Sequence, residues 1–265
     1  MTACRDLLVQ INPPAVTISL NRPDKLNALH ISMVSSLLET LRRLERDENV
    51  HIVVLRGEGR AFCAGGDIEV MRNANETGSV EDVERVTRTF QETIGHICES
   101  AKLFVSFVHG AAMGGGAGLA LAADLVYAME NARFGWPYAN LGLSPDGGAS
   151  FTLTNALGKY KALEALLFGR TFTAAEMEKL GLVNEVFTEQ EWEERTNALL
   201  RNLSAFPAQL LAGLKRLIRE AGSGTGVAPL LALEYRMMVQ TAESAFHKEK
   251  VREFFARKTN RGNRT

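Results

Sequence analysis

Two segments of the chain place glycines and small residues directly after an apolar run. Arg60–Asp67 reads R-A-F-C-A-G-G-D, and His109–Gly118 reads H-G-A-A-M-G-G-G-A-G. Glycine lets the backbone approach a ligand closely, so such segments can present their N–H groups to it. Two amides that converge on one carbonyl oxygen stabilise the negative charge that forms when the carbonyl becomes an enolate. The two segments therefore predict a site for chemistry that passes through an enolate.

The glycine triplet Gly114-Gly115-Gly116 does not match the common phosphate-binding patterns. A phosphate-binding loop requires G-x-x-x-x-G-K-[ST], and a dinucleotide fingerprint requires a third glycine where this chain has Leu119. Two interpretations remain, close packing of a helix or a helix N-terminus whose free N–H groups face an anion.

The apolar patterns predict alternating strands and helices in the first part of the chain. Helix 32–46 follows from Val34, Leu37, Leu38, Leu41 and Leu44, which recur every three or four residues. Strands are predicted over 6–11, 16–20, 51–55, 102–108 and 124–128, and the first two form a hairpin. The polar segment 72–85 is predicted to be a mobile surface segment.

From residue 149 onward the pattern is almost wholly helical. Thr173-Ala-Ala-Glu176 is predicted to be a capping box. Further helices are predicted over 189–204, 207–221 and 227–256. These patterns divide the chain into an α/β core, residues 1–200, and a C-terminal helical segment, residues 201–265.

Composition and charge exclude several classes of protein. Of the 265 residues 46% are hydrophobic and 23% are charged, with a net charge of −1, which is ordinary for a soluble globular enzyme. Cys4, Cys63 and Cys98 have no C-x-x-C spacing, so neither a disulfide framework nor a thiolate metal site is expected. No apolar run long enough for a membrane helix and no secretory leader is visible. A cytoplasmic location is therefore predicted.

Taken together, the motifs resemble the crotonase family, the enoyl-CoA hydratases and isomerases, over nearly the whole chain. The segments that carry the resemblance are 20–29, 61–67, 108–116, 123–124, 132–135, 143–148, 172–176, 181–184 and 254–258. The resemblance implies an α/β fold, a crotonase-like spiral of ββα turns with a C-terminal helical extension. It also implies coenzyme A thioester substrates and homotrimers often paired into hexamers. The C-terminal segment would then serve trimerisation and cover the active site.

The resemblance assigns roles to individual residues. The oxyanion hole would consist of the amides of Gly66 and Gly115. The segment from Arg22 to Ala28 would line the nucleotide and pantetheine of coenzyme A, with Lys25 near a phosphate. In the loop that contains Gly66, Ala64 and Ile68 would flank the pantetheine arm and Asp67 would order the loop.

Two positions depart from the hydratase pattern. The two glutamates that act on water in a hydratase correspond here to Gly118 and Tyr138. Adding water across a double bond needs an acid and a base held at that oxygen. Efficient hydration is therefore not expected.

One carboxylate remains at a position that the family uses. Asp146, in Leu143-Ser-Pro-Asp-Gly-Gly148, corresponds to the place where several enoyl-CoA isomerases carry an acidic residue and where a related dehalogenase carries its nucleophile. A single base is sufficient to move a proton between two carbons. Apolar neighbours such as Trp136, Tyr138 and Leu143 would raise its pKa by desolvation. The alternative is structural, because S-P-D-G is a favourable turn sequence.

The sequence thus predicts an enoyl-CoA isomerase with Asp146, Gly66 and Gly115 as catalytic groups. It predicts no metal and no cofactor beyond the coenzyme A of the substrate, and no nucleic-acid or membrane partner. The alternatives are other family chemistry on acyl-CoA, namely hydration, decarboxylation or dehalogenation, or a non-catalytic relative that binds coenzyme A or RNA. The balanced charge argues against RNA.

Overall fold

The computed structural model of the protein describes residues 5–262, with side chains described through residue 256. Cys4 and the last three residues of the predicted C-terminal segment lie outside this range. The chain forms two compact units, and the boundary between them in the sequence falls between Ser204 and Ala205.

The first unit is built around a six-stranded sheet with the strand order β1-β2-β3-β4-β6-β9. These strands are β1 (Leu7–Asn12), β2 (Ala15–Leu20), β3 (Ile52–Gly57), β4 (Leu103–Val108), β6 (Leu125–Met129) and β9 (Glu185–Phe187). The hairpin β1–β2 is antiparallel, whereas every other neighbouring pair is parallel. β4 is buried along its whole length, as expected for a strand covered on both faces. The predicted α/β class and hairpin are confirmed.

A second sheet has three strands of three residues each, in the order β5-β7-β8. β5 (Ala111–Met113) follows β4 after a two-residue turn, and pairs in parallel with β7 (Arg133–Gly135). β8 (Thr171–Thr173) pairs antiparallel with β7. The sequence analysis missed all three strands, because three residues are too few to show an alternating pattern.

Seven α-helices complete the first unit. They are α1 (Ile31–Glu45), α2 (Ile68–Thr77), α3 (Glu81–Glu99), α4 (Gly115–Leu121), α5 (Ala149–Leu167), α6 (Ala174–Lys179) and α7 (Trp192–Ser204). α5 is interrupted at Gly158, whose φ of 73° is not helical. The capping box at the start of α6 is confirmed, with Thr173 and Glu176 bonding each other's backbone amides.

Residues 72–85 lie at the surface, as predicted, but most of them are helical. Residues 72–77 belong to α2, and residues 81–85 form the first turn of α3. The side chains there are mostly exposed, so the polar composition reflects exposed helix faces. α3 packs against α1, whose six regularly spaced apolar side chains are all buried. α3 is therefore a packed part of the first unit.

The second unit consists of α8 (Ala208–Gly222), α9 (Val227–Ala242) and α10 (Ala245–Gly262). The predicted single helix 227–256 is therefore two helices, separated at Glu243 and Ser244. α8 and α9 pack closely at Gly213 of α8 and Met237 of α9. A Cβ placed on Gly213 would lie 2.1 Å from the Met237 methyl carbon, so a side chain has no room there. Among the described residues, no helix is both long enough and apolar enough to cross a membrane.

Candidate active site

The two glycine-containing segments follow β3 and β4, which are parallel neighbours in the six-stranded sheet. The carboxyl ends of parallel neighbours lie at the same edge, so the sheet brings the segments together. A short ladder of main-chain hydrogen bonds then joins them, from Phe62 N to His109 O (2.8 Å), from Cys63 N to Ala111 O (2.9 Å) and from Met113 N to Cys63 O (2.9 Å). The relative position of the two segments is therefore set by backbone bonds.

Gly65 brings the two segments into direct contact. Its φ is +97°, and a Cβ at this position would lie 2.7 Å from the Met113 carbonyl oxygen and 3.6 Å from the Gly115 nitrogen. A side chain there would force the segments apart, and the left-handed backbone independently favours glycine. The glycine at position 65 thus permits the close approach of the segments that carry Gly66 and Gly115.

Leu29 fixes the orientation of Gly66. The amide of Leu29 donates to Gly65 O (2.7 Å), and Asp67 N donates to Leu29 O (2.8 Å). Because consecutive groups of an extended backbone point to opposite sides, the Gly66 amide faces away from Leu29.

The amides of Gly66 and Gly115 are both available to a ligand. In the described residues neither amide donates a backbone hydrogen bond. Gly115 is the first residue of α4, where an N–H has no partner within the helix. Both glycines line one cavity of about 340 Å³. The structure therefore places the two predicted oxyanion donors beside the same space.

Asp146 lines the same cavity. Its Oδ1 accepts a 2.5 Å hydrogen bond from the Tyr138 hydroxyl, and no other described residue bonds its Oδ2. Burial raises the pKa of Asp146 above its ordinary value, and the bond from Tyr138 opposes this shift. Ala149 N donates to Asp146 O (3.1 Å), so Asp146 begins a turn over residues 146–149, which lies two residues after the predicted S-P-D-G turn. The residue thus combines a turn with a partly buried carboxylate beside the cavity.

Tyr138 connects this carboxylate to the glycine triplet. A Cβ placed on Gly114 would lie 3.6 Å from both Cζ and Oη of Tyr138, so the ring lies against the backbone of Gly114. Burial and the charge of Asp146 raise the pKa of Tyr138, and the phenol is a neutral donor. The sequence analysis treated Tyr138 as the replacement of a glutamate and as a neighbour that desolvates Asp146, and did not predict this bond.

Gly118 lies outside the cavity lining and packs on the loop that carries Asp146. A Cβ at Gly118 would lie 2.7 Å from the Gly147 carbonyl oxygen and 3.2 Å from its Cα. At the position corresponding to a hydratase glutamate, the backbone of Gly147 thus occupies the space that a side chain would need.

The rest of the cavity wall is apolar and comes largely from α2 and α3. The lining side chains from these helices are Ile68, Met71, Val83, Val86, Thr87, Phe90 and Gln91. A second cavity of about 390 Å³ also borders Asp146, and its lining includes Ile94, Pro145 and Phe151. The sequence analysis missed the α3 residues, although Val83, Val86, Phe90 and Ile94 recur at helical spacing and could have been found by that signal.

The predicted coenzyme A residues fall into two groups. Ala64 and Ile68 line the cavity, whereas Arg22, Lys25, Ala28 and Asp67 do not. Lys25 is exposed, and Ala28 is buried.

Two of these residues hold the loop together. Arg22 Nη1 donates to Ala28 O (2.7 Å) and to Asp67 Oδ2 (3.0 Å). Asp67 Oδ1 accepts from Glu69 N and caps α2. Through these two contacts, with Arg22 and with Glu69 N, Asp67 can order the loop as the resemblance implies.

The histidines lie away from the reacting groups. His109 Nε2 is 2.8 Å from Gly59 O, which ties its segment to the end of β3. His96 lies on α3 with Nε2 3.9 Å from a Glu45 carboxylate oxygen, outside the cavity lining. Within residues 5–256, no group of three His, Cys, Asp or Glu side chains is arranged to hold a metal ion.

The chain is similar in sequence to known enzymes that act on coenzyme A thioesters. A family model described as enoyl-CoA hydratase/isomerase matches residues 11–261. The 1,2-epoxyphenylacetyl-CoA isomerase of Escherichia coli (strain K12) is 31% identical over 254 residues, which is 96% of each chain. The 4-chlorobenzoyl coenzyme A dehalogenase-2 of Arthrobacter sp is 34% identical over 210 residues, 79% of this chain and 76% of that one.

The fold is similar to that of solved members of the family. The crystal structure of a putative enoyl-CoA hydratase from Streptomyces coelicolor A3(2) superimposes with a TM-score of 0.87 at 31% identity. It covers 97% of this chain, and 94% of that chain is covered. The predicted crotonase-like fold is confirmed, while the named activities of the relatives differ from one another.

Proposed function

The chain belongs to the enoyl-CoA hydratase/isomerase family, the crotonases, and from this premise we propose that it moves a double bond in an enoyl-CoA thioester. One observation carries the proposal. The Asp146 carboxylate lines the same cavity as the unpaired amides of Gly66 and Gly115. A base and an oxyanion site at one cavity are what a proton shift next to a thioester requires.

The thioester oxygen would accept hydrogen bonds from the Gly66 and Gly115 amides. Asp146 takes the α-proton of a 3-enoyl thioester, and the electrons of the broken C–H bond form a dienolate whose oxygen carries the charge. Protonated Asp146 then gives the proton to the γ-carbon, which leaves the double bond between the α- and β-carbons. Each proton removed is returned, so no co-reactant is needed.

The pKa of Asp146 suits both halves of this cycle. A carboxylate with an ordinary pKa holds a proton poorly, whereas burial raises the pKa of Asp146 above its ordinary value and makes it a stronger base. The neutral Tyr138 phenol leaves Oδ2 for the substrate.

Hydration is the less favoured reaction. Asp146 is the only carboxylate among the described residues that line the cavity, so a second carboxylate to act on water is absent there. The similarity to the isomerase of Escherichia coli supports isomerisation. Because the chain is also similar to a dehalogenase, the experiment described below includes nucleophilic attack by Asp146 as a possible result.

For the coenzyme A moiety, we assign Ala64 and Ile68 to the pantetheine arm, because both line the cavity. Exposed Lys25 is suited to a phosphate. Arg22, Ala28 and Asp67 would support this surface through their mutual hydrogen bonds rather than by lining the cavity.

We also infer a homotrimer or hexamer. In α9 Leu231 is 57% exposed and Met238 is 71% exposed, which is unusual for large apolar side chains on one helix. Multi-angle light scattering at micromolar concentration should give a multiple of three chains, and a monomer would contradict the inference.

The test of the function is a panel of 3-enoyl-, 2-enoyl- and ring-type acyl-CoAs, followed by mass spectrometry with deuterium in the solvent. The variant Asp146→Asn removes the base and preserves the shape, so isomerisation and α-deuterium exchange should fall at least about a hundredfold. Affinity for a saturated acyl-CoA should stay near normal. The matched control is Asp82→Asn on the exposed face of α3, where the side chain is 64% exposed. Full activity in Asp146→Asn would refute the proposal. Release of halide from a haloacyl-CoA by the unmodified protein would instead favour dehalogenation.

A further inference from the structure

Tyr138 is held by its backbone at a fixed distance from the loop that carries Asp146. It lies directly before a short 3-10 helix, Ala139–Leu141. Its carbonyl oxygen accepts from Leu141 N (2.9 Å) and from Leu143 N (3.0 Å). Trp136, two residues earlier, is completely buried. The segment from Tyr138 to Asp146 is thus fixed at its Tyr138 end.

The side chain of Tyr138 is fixed from the opposite direction. Its ring lies against the Gly114 backbone, with Cζ and Oη 3.6 Å from the position of a Gly114 Cβ. The hydroxyl then reaches Asp146 Oδ1 at 2.5 Å. The phenol therefore spans the space between the glycine triplet and the carboxylate.

We propose that Tyr138 is the positioning residue of Asp146, which it holds through Oδ1 so that Oδ2 alone exchanges protons with the substrate. This inference rests on the proposed function. One oxygen that takes a proton from one carbon and returns it to another must face both carbons, and an unrestrained carboxylate would spend part of its time turned away. The bond from Tyr138 removes that freedom.

The protonation states agree with this role. Burial and the charge of Asp146 raise the pKa of Tyr138, so its hydroxyl remains a donor. The hydrogen bond from Tyr138 lowers the pKa of Asp146 against the larger effect of burial. The other titratable group that acts on the pair is Cys63, a neutral thiol because burial raises its pKa to about 12. The neighbouring α3 side chains that line the cavity, Phe90 and Gln91, do not titrate.

The test is Tyr138→Phe, which keeps the ring on Gly114 and removes the hydroxyl. We expect kcat for isomerisation to fall roughly 10- to 100-fold, the range for losing a hydrogen bond to a charged group. KM and the affinity for a saturated acyl-CoA should change little. The acid limb of kcat/KM should move to higher pH, because Asp146 loses a bond that lowers its pKa. Tyr160→Phe is the matched control, since Tyr160 on α5 is 82% exposed.

A second experiment reads the hydrogen bond without turnover. Infrared titration of the Asp146 carboxyl, as the difference between the protein and its Asp146→Asn variant, should show a higher pKa in Tyr138→Phe. Replacing Tyr138 by 3,5-difluorotyrosine keeps the shape and makes the phenol a stronger donor, so the same titration should move to lower pH. This arm also decides the matter if Tyr138→Phe fails to fold.

The outcomes separate the two proposals. Wild-type kcat and an unmoved pH profile in Tyr138→Phe, or an infrared titration that no change at residue 138 shifts, would overturn the role of Tyr138. Absence of isomerisation in the unmodified protein would instead overturn the proposed function, and the infrared titration would still test the hydrogen bond.

Discussion

Gly118 and Gly147 are in backbone contact: a Cβ placed on Gly118 would lie 2.7 Å from the carbonyl oxygen of Gly147. Gly118 belongs to α4, which begins at Gly115, and Gly147 follows Asp146 directly. This contact therefore sets the distance between the helix that carries one oxyanion donor and the loop that carries the base. It also explains why a carboxylate at position 118 is incompatible with this arrangement of the loop.

Gly118→Ala should damage both stability and activity. The added methyl group has to displace the Gly147 backbone, and such overpacking costs about 1–3 kcal/mol of unfolding free energy. The displacement also moves Asp146, so isomerisation should fall at least about tenfold. Urea denaturation and kinetics measure the two effects. The control Gly95→Ala lies in α3 with no atom within 4 Å of the new Cβ, and should gain roughly 0.5–1 kcal/mol. Equal behaviour of the two variants would show that the Gly118–Gly147 contact is unimportant.

Hydration of crotonyl-CoA should be absent or very slow. The cavity offers Asp146 without a second carboxylate, and Gly118→Glu should not restore hydration because its Cβ already conflicts with Gly147. Formation of the 3-hydroxy product is measured by absorbance and mass spectrometry. Turnover of about 10 per second, a typical enzyme rate, would contradict this expectation.

Asp146→Asn should change the pH dependence of stability. The pKa of Asp146 is raised above its ordinary value of 3.8, so the folded state binds a proton more tightly than the unfolded chain. Between 3.8 and the raised pKa, the contribution of Asp146 to stability therefore falls as pH rises. The variant lacks this loss and should gain stability relative to the wild type across that window, with a constant difference above it. Urea denaturation at a series of pH values measures the difference, with Asp82→Asn as the control. A relative loss with rising pH would show that the carboxylate is stabilised by the folded protein.

Ile94→Trp should reduce the size of the acyl group that the protein accepts. Ile94 lines the second cavity, which also borders Asp146, and we expect the part of an acyl group beyond the reacting carbons to extend there. We expect kcat/KM for long-chain and ring-type substrates to fall roughly tenfold more than for short ones. Val80→Trp, at an exposed position before α3, is the control. A uniform loss for all chain lengths would argue against this use of the second cavity.

Local sequence patterns predicted the elements that rest on local interactions. Examples are α1, whose buried face repeats at helical spacing, and the Thr173–Glu176 capping box. The three-residue strands β5, β7 and β8 exist because of partners far along the chain, so no local pattern marks them. The polar composition of residues 72–85 hid two helices, since an exposed helix face and a loop have similar compositions.

The candidate site was predicted in part. Gly66, Gly115 and Asp146 lie at one cavity, as the motifs suggested. The Tyr138–Asp146 bond depends on the course of the loop between them and on the position of the Gly114 backbone, neither of which the residue types reveal. The contribution of α3 to the cavity was missed because the apolar positions Val83, Val86 and Phe90 were not recognised as one helix face.

The ladder between Phe62–Cys63 and His109–Met113 consists of main-chain atoms. These bonds use no side-chain atoms and so do not depend directly on residue identity, whereas the proton-transferring group is carried by the single loop 143–148. Stabilisation of the enolate and the choice of what happens to it are thus encoded in different parts of the chain. A library randomised over residues 143–146, with Gly147 kept because it packs on Gly118, would explore new reactions around a constant oxyanion site, which makes this scaffold a starting point for directed evolution of acyl-CoA chemistry.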